Sequence, residues 1–431
     1  MTSLTPAWLV KQRWFRAKQR PIATVTEVDR ASLERAELRV LEIAYADGGA
    51  ADQYLVPTIH GREPSDGEGV WTAMVRAMAE GAELRGRRGS FACSPTDALE
   101  ELLPSAREAA VTLDERRLRV EQSNTSVVLG ERLILKLYRL LEPGLSPDLE
   151  VSAFLTDAGF VDTPAVAGAM TYTRDGGEPA AAAAMLQAFV LSTGDAWAAM
   201  LLALGDDPAR GMELAANVGG VTAAMHAALA SRPDHPSFPA RPATVSETAA
   251  WRASADSQLA QAVTAVGGDA HERMVALAPA ITARFADMFG SATGQARVSR
   301  IHGDYHLGQL LARSDDGFSV VDFEGEPARP LAERRQPGSP LRDVAGLLRS
   351  LDYAARTAER ASPSFDAESW LAGARGAFIG AYGGIGATEV GLLEAFELEK
   401  ACYEIRYEAN NRPGWLWLPL AAAKRLSESA S

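Results

Sequence analysis

Three short stretches of this 431-residue sequence carry side chains suited to group transfer. In HGDYHLGQ, residues 302–309, Asp304 precedes Gln309 by five positions. A carboxylate there can take the proton of a hydroxyl nucleophile, and an amide oxygen five residues along is a hard donor suited to Mg²⁺. In FSVVDFEGEP, residues 318–327, an apolar run breaks on Asp322. A carboxylate at a strand end in this position can hold a metal across phosphates. In LILKLY, residues 133–138, Lys136 stands between Leu135 and Leu137. Strand alternation turns it away from both neighbours, and a half-buried ammonium needs a partner. Glu150, on the next predicted helix, is the expected one. A strand lysine paired with a helix glutamate near nucleotide phosphates is the arrangement of kinases. Singly, each motif also suits a loop-capping aspartate or a solvated lysine; their joint order and spacing favour one nucleotide site.

Ahead of the lysine strand stands EQSNTSVV, with no glycine-rich loop. Ser123, Asn124 and Thr125 would meet phosphates there through hydroxyls and backbone N–H groups, and the same residues suit a plain polar turn. Near the C-terminus, FELEKACYEIRYEANNRPGWLWLPL, residues 396–420, is aromatic and acidic. Glu404 and Glu408, four apart on a predicted helix, share a face. Beyond them come Asn411, Arg412 and, after the break at Pro413, Trp415 and Trp417, whose indoles can pack on a sugar ring. The sharp reading of this stretch is a sugar pocket; the bland one is a solvated acidic face with core tryptophans. His226, on an apolar helical stretch, reads as a packed histidine. His302 is expected to brace the backbone of the Asp304 loop, and His306 to reach substrate. Two histidines, two apart and with no cysteine or further histidine nearby, argue against a zinc site.

The elements that must hold these groups follow from pattern. Residues 1–90 mix alternating strands such as ELRVLEIAYADG with polar loops, including the turn-rich GREPSDGEG at 61–69. Residues 91–193 add a hairpin turned at Gly130-Glu131, the helix DLEVSAFLTDAG ending on a glycine, and a strand at 184–190. Residues 194–431 are mostly helical, with a long helical stretch over 245–289, interrupted by the two acidic loops. The fold class is α+β, with a small N-terminal unit, a strand-rich intermediate part and a helical C-terminal part.

Composition narrows the partners. Formal net charge is −13, which argues against nucleic acid and anionic membranes as partners. Cys93 and Cys402 are too few for a disulfide framework, so a reducing cytoplasm is expected. The N-terminus does not read as a signal peptide, and no apolar run approaches a bilayer span.

The motifs HGDYHLGQ, DFEGEP and LILKLY with the following PDLEVSAFL, together with YEIRYEANNRPGWLWLPL, resemble the maltokinase-type branch of aminoglycoside-phosphotransferase-like kinases. That branch includes actinobacterial maltokinases and glucosamine kinases. The similarity covers about residues 115–420, and WLVKQRWFRAKQRP is similar to the opening of the family's N-terminal cap. The resemblance implies a bilobal protein-kinase-like fold with a cap, ATP with Mg²⁺, and a sugar hydroxyl as acceptor. It implies Asp304 as catalytic base, Gln309 and Asp322 as metal ligands, Lys136 on the phosphates and Glu150 orienting that lysine. It makes residues 186–190 the hinge, with Gln187, Phe189 and Val190 at the adenine. Two departures from protein kinases, the missing arginine of HRD and the added Glu324, fit this branch and disfavour protein substrates. The acidic C-terminal helix favours glucosamine, giving glucosamine 6-phosphate. Maltose, giving maltose 1-phosphate, and an aminoglycoside antibiotic are the alternatives. A silent kinase-like scaffold is disfavoured because Lys136, Asp304, Gln309 and Asp322 are all kept. The expected partner is a small-molecule sugar, with the protein as a monomer.

Overall fold

Alternation in AELRVLEIAY, residues 36–45, becomes the central strand of a three-stranded antiparallel sheet, Ile22–Leu33, Ala36–Tyr45 and Asp52–Ile59. Its two faces bury different things. On one, Leu9, Trp14 and Phe15 of the N-terminal segment pack against Leu41, Ile43, Tyr45, Tyr54 and Val56. On the other, Leu38, Val40 and Leu55 join a larger core with Trp71, Met74 and Met78 of the helix Val70–Ala79. The computed structural model describes residues 4–106, 113–118, 123–177, 179–292, 294–326 and 329–428.

The chain divides into two units, residues 1–157 with 163–191, and residues 158–162 with 192–431. The stretches 1–90 and 91–193, separate by composition, thus share the first unit up to residue 191, apart from 158–162. The reason lies in a second, seven-stranded antiparallel sheet. Its order is Glu83–Arg85, Gly89–Pro95, Val166–Arg174, Ala181–Ala188, Leu133–Leu137, Thr125–Leu129 and Glu115–Arg117. Residue 90 falls inside one of its strands. The hairpin expected at Gly130-Glu131 is present, with Leu129 opposite Leu133 and both turn residues at positive φ, 57° and 52°.

Three buried charges lock the N-terminal sheet to the larger one. Asp29 accepts N–H groups of Arg87 and Arg88 and the Tyr172 hydroxyl. The fully buried Arg139 pairs with Glu63 and donates to the Thr125 hydroxyl at 2.8 Å. Glu115, 9% exposed, accepts the N–H groups of Gly67, Gly69, Trp71 and Thr72, and so caps the helix Val70–Ala79 from a strand more than forty residues away. Gly69 offers that helix no side-chain cap of its own. Replacing Glu115 by Ala orphans these buried donors, each costing about 1–3 kcal/mol when unsatisfied. A stability loss of about 3 kcal/mol is expected in urea unfolding of Glu115→Ala, and an unchanged midpoint would reject the capping role.

The second unit is helical. The stretch expected as helical over 245–289 is two helices, Val245–Ala265 and Gly268–Ser291, broken where Gly268 takes φ 56°. Thr244 and Glu247 form a capping box on the first. Later helices are Leu341–Ala361, Ala367–Tyr382, Val390–Asn411 and Trp417–Glu428, and a small sheet joins Ser192–Asp195, ahead of all these helices, with Leu310–Arg313 and Phe318–Val320. Among the described residues, no helix is long and apolar enough to cross a membrane. Both cysteines are buried and unpaired.

Candidate active site

Asp304 lies in an irregular loop, where only fixed hydrogen bonds can hold a side chain in place. They converge on Asp343, near the start of the helix Leu341–Ala361. Its carboxylate accepts the N–H of His302 at 2.8 Å and of Gly303 at 3.0 Å, and meets His226 Nε2 at 3.0 Å. His226 is bonded in turn to the Tyr382 hydroxyl, so it is a structural histidine as expected. Burial pushes the Asp343 carboxyl up, but the His226 bond and the Gly303 N–H outweigh it and hold it below the usual range. Gly346 completes the support: a Cβ there would collide with the Tyr305 carbonyl, so only glycine lets this helix press on the loop.

His302 joins the two acidic loops. Its Nδ1 accepts the Asp304 N–H at 3.4 Å, and its Nε2 donates to the Val321 carbonyl at 3.0 Å. Its ring packs between Tyr305 and Phe323. The strand register does the rest. Leu310 pairs with Val320, and the Val321 N–H bonds the Gln309 carbonyl, which brings Gln309 and Asp322 to one end of the ribbon. His306 stays local, capping the short turn Leu307–Gln309 by accepting the Gly308 N–H; burial lowers its pKa.

Asp322 has φ 69°, a left-handed conformation that costs an aspartate less than most residues, and Gly325 repeats it at 69°. The turn brings a carboxylate oxygen of Asp322 within 4.8 Å of one of Glu324. Two converging anions with the Gln309 amide in the same ribbon end make a hard, oxygen-only donor set, which fits Mg²⁺. Glu324, in the sequence a departure from protein kinases, thereby joins the metal-binding candidates.

In the first unit, Lys136 sits on Leu133–Leu137, whose burial alternates as the pattern required. Its ammonium lies 2.8 Å from Asp148 Oδ2, and the Tyr138 hydroxyl reaches the same oxygen at 2.8 Å. The sequence pointed to Glu150 and missed the buried Asp148, two residues earlier on the same helix, Pro147–Asp157, which pairs with the lysine. Ser123 is half-buried and Asn124 buried, while the buried Thr125 has its hydroxyl engaged by Arg139. At the expected hinge, the Phe189 N–H is already donated to the Arg132 carbonyl, so it is not available to adenine. Gln187 turns its amide to the Pro164 carbonyl at 3.4 Å, and Val190 is half-buried.

A cavity of about 360 Å³ opens beside Asp304. Trp251, Ser254, Glu399, Lys400 and Tyr403 contribute to its wall. Lys400 Nζ stands 3.3 Å from Asp304 Oδ1. Among the described residues, Glu404, Glu408, Asn411, Arg412, Trp415 and Trp417 do not line it. The expectation of Glu404 and Glu408 as a free carboxylate pair needs correction. Both are buried, and each has its own cation: Glu404 accepts from Arg349 at 2.7 and 3.0 Å, Glu408 from Arg412 at 2.6 and 2.9 Å. Asn411 bonds the Tyr407 carbonyl, Arg412 lies over the Trp415 ring, and Trp417 is 42% exposed at the start of the last helix.

Residues 114–379 match the phosphotransferase enzyme family, and residues 8–87 match the maltokinase N-terminal cap domain. The chain belongs to the phosphotransferase enzyme family. Among this phosphotransferase's relatives is a glucosamine kinase from Streptacidiphilus jiangxiensis, 32% identical over 384 residues, covering 83% of this chain and 81% of the relative. Another, from Mycolicibacterium smegmatis, is 28% identical and covers 86% and 91%. A solved structure of a glucosamine kinase in complex with glucosamine, ADP and inorganic phosphate superposes with a TM-score of 0.73 at 26% identity, covering 94% of both chains. A second crystal form of a glucosamine kinase reaches 0.77 at 25% identity, covering 99% and 98%. The phosphotransferase therefore has the kinase-like fold with an N-terminal cap that its motifs implied.

Proposed function

We propose that this phosphotransferase is a glucosamine kinase that moves the γ-phosphoryl group of ATP to a sugar hydroxyl, giving glucosamine 6-phosphate. The observation that carries the reading is Asp304, braced by His302 and Asp343, at the edge of a cavity with Trp251 and Tyr403 in its wall. Aromatic faces of this kind pack on the C–H faces of a sugar. The likeness to glucosamine kinases along most of the chain supports the choice of acceptor.

In this reading Asp304 takes the proton of the acceptor hydroxyl as the oxygen bonds to phosphorus and the bond to ADP breaks. Lys136, fixed by Asp148, holds the phosphates, with Ser123 and Asn124 near them and Gln187 and Val190 at the adenine. Bound by Asp322, Glu324 and Gln309, Mg²⁺ would neutralise charge on the phosphates. Glu404 and Glu408, already paired with Arg349 and Arg412, are structural in this reading and do not grasp the amine. The partner is a small molecule, and the place of work is the cytoplasm, where ATP is supplied.

The test is ADP release with glucosamine, glucose, maltose and kanamycin as acceptors, with the product's phosphorylated position read by NMR. Glucosamine is expected to exceed the others in kcat/KM by about tenfold or more, since a site built for one polar group rejects analogues lacking it. Maltose or kanamycin outrunning it would replace the assignment.

A further inference from the structure

Lys400 was not singled out by its sequence context, a lysine on a helix among glutamates. It extends from Val390–Asn411 into the cavity, where its ammonium lies 3.3 Å from Asp304 Oδ1 and 4.7 Å from the centre of the Tyr403 ring. Among the described residues it makes no other hydrogen bond. An ammonium has three N–H donors, so two are uncommitted inside a cavity beside the proposed base. Its charge is secure. Burial works against it, but Asp304, Tyr403 and Glu404 push the ammonium up to about 12, so it stays protonated wherever the enzyme would work.

A fixed cation is a poor companion for a base in the resting state, because it stabilises the carboxylate that must accept a proton. It becomes favourable when a larger anion arrives, and a phosphoryl group in flight spreads negative charge over three oxygens. Lys400 is a cation in the cavity wall in direct contact with Asp304. We propose that Lys400 is a second catalytic residue, which holds Asp304 before reaction and turns its free N–H groups to the transferring phosphoryl oxygens. The inference rests on the phosphoryl-transfer reading above. The balance is simple: the acceptor oxygen gains a bond to phosphorus, ADP leaves with the broken bond's electron pair, the acceptor proton goes to Asp304, and Lys400 remains an ammonium.

Lys400→Met and Lys400→Arg are to be compared with wild type for kcat and KM toward the sugar, for slow ATP hydrolysis without sugar, and for melting temperature. Loss of a donor aimed at developing charge typically costs about 10²–10³-fold in kcat. Lys400→Met is expected to lose kcat on that scale with the sugar KM changed by less than about threefold, and to lose ATP hydrolysis in parallel, because water then stands in for the acceptor. Lys400→Arg should recover at least about tenfold of the loss, since it keeps the cation. A raised KM with kcat intact would make Lys400 an acceptor-binding residue and overturn the proposal, as would a lowered melting temperature with kcat intact. If the wild type transfers to none of the four acceptors, the glucosamine reading fails while the hydrolysis rates still decide the role of Lys400.

Discussion

Asp304→Asn is expected to fold normally and to lose about 10²–10⁴-fold in kcat, the usual cost of removing a placed general base. Fold retention follows from how the loop is held. Asp343 grips the backbone of His302 and Gly303, and His302 receives the Asp304 N–H, so none of these bonds uses the Asp304 carboxylate. An asparagine oxygen can still accept from Lys400 at the position of Oδ1. The melting temperature should therefore stay close to wild type and nucleotide affinity should hold, because Asp322 and Gln309 are untouched. Steady-state kinetics and calorimetric titration with ATP check both halves. Retention of more than about a third of kcat would remove Asp304 from the role of base.

The largest loss of stability is expected from Arg349→Met. The guanidinium, 1% exposed, donates to both Glu404 and Asp352, and Arg425 adds a second cation to Asp352 at 2.8 Å. These carboxylates hold Arg349 well above the usual guanidinium range in spite of its burial. Methionine keeps much of the volume but strands Glu404, and removing one partner of a buried pair costs about 3–5 kcal/mol. Adding Glu404→Gln to Arg349→Met should recover part of this, because the orphaned charge goes with it. Urea unfolding of the two singles and the double gives the coupling. A loss below about 1 kcal/mol for Arg349→Met, the scale of an exposed pair, would mean that the network is solvated in solution.

What the sequence disclosed, it disclosed through residues whose neighbours in the chain are also their neighbours in space. Asp304, Gln309 and Asp322 stand in loops that a single ribbon brings together, and the Lys136 hairpin is closed by its own Gly130-Glu131 turn. Long-range partners were hidden. Asp148, two residues before Glu150, pairs with Lys136 through the rotation of a helix, which spacing alone does not reveal. Asp343, 40 residues beyond Gly303, looks in sequence like any first-turn aspartate. Glu404 read as a free carboxylate because Arg349, 55 positions earlier, gave no sign of being buried. Lys400 was obscured for the same reason: its meaning comes from Asp304, 96 residues away.

Asp29, Glu63 and Glu115 have their partners on opposite sides of residue 90, in the Tyr172 hydroxyl, the Arg139 guanidinium and the N-terminus of the helix Val70–Ala79. A chain begun after residue 90 would keep Tyr172, Arg139 and Glu115 and lose Asp29, Glu63 and the helix N-terminus that pair with them, along with the strand Glu83–Arg85 at the edge of the seven-stranded sheet. Leaving such groups unpaired costs several kcal/mol in total, a large share of what holds a domain together. The cap and the strand-rich lobe thus match two family models but fold as one unit, and moving either into another protein without the other is expected to leave it destabilised.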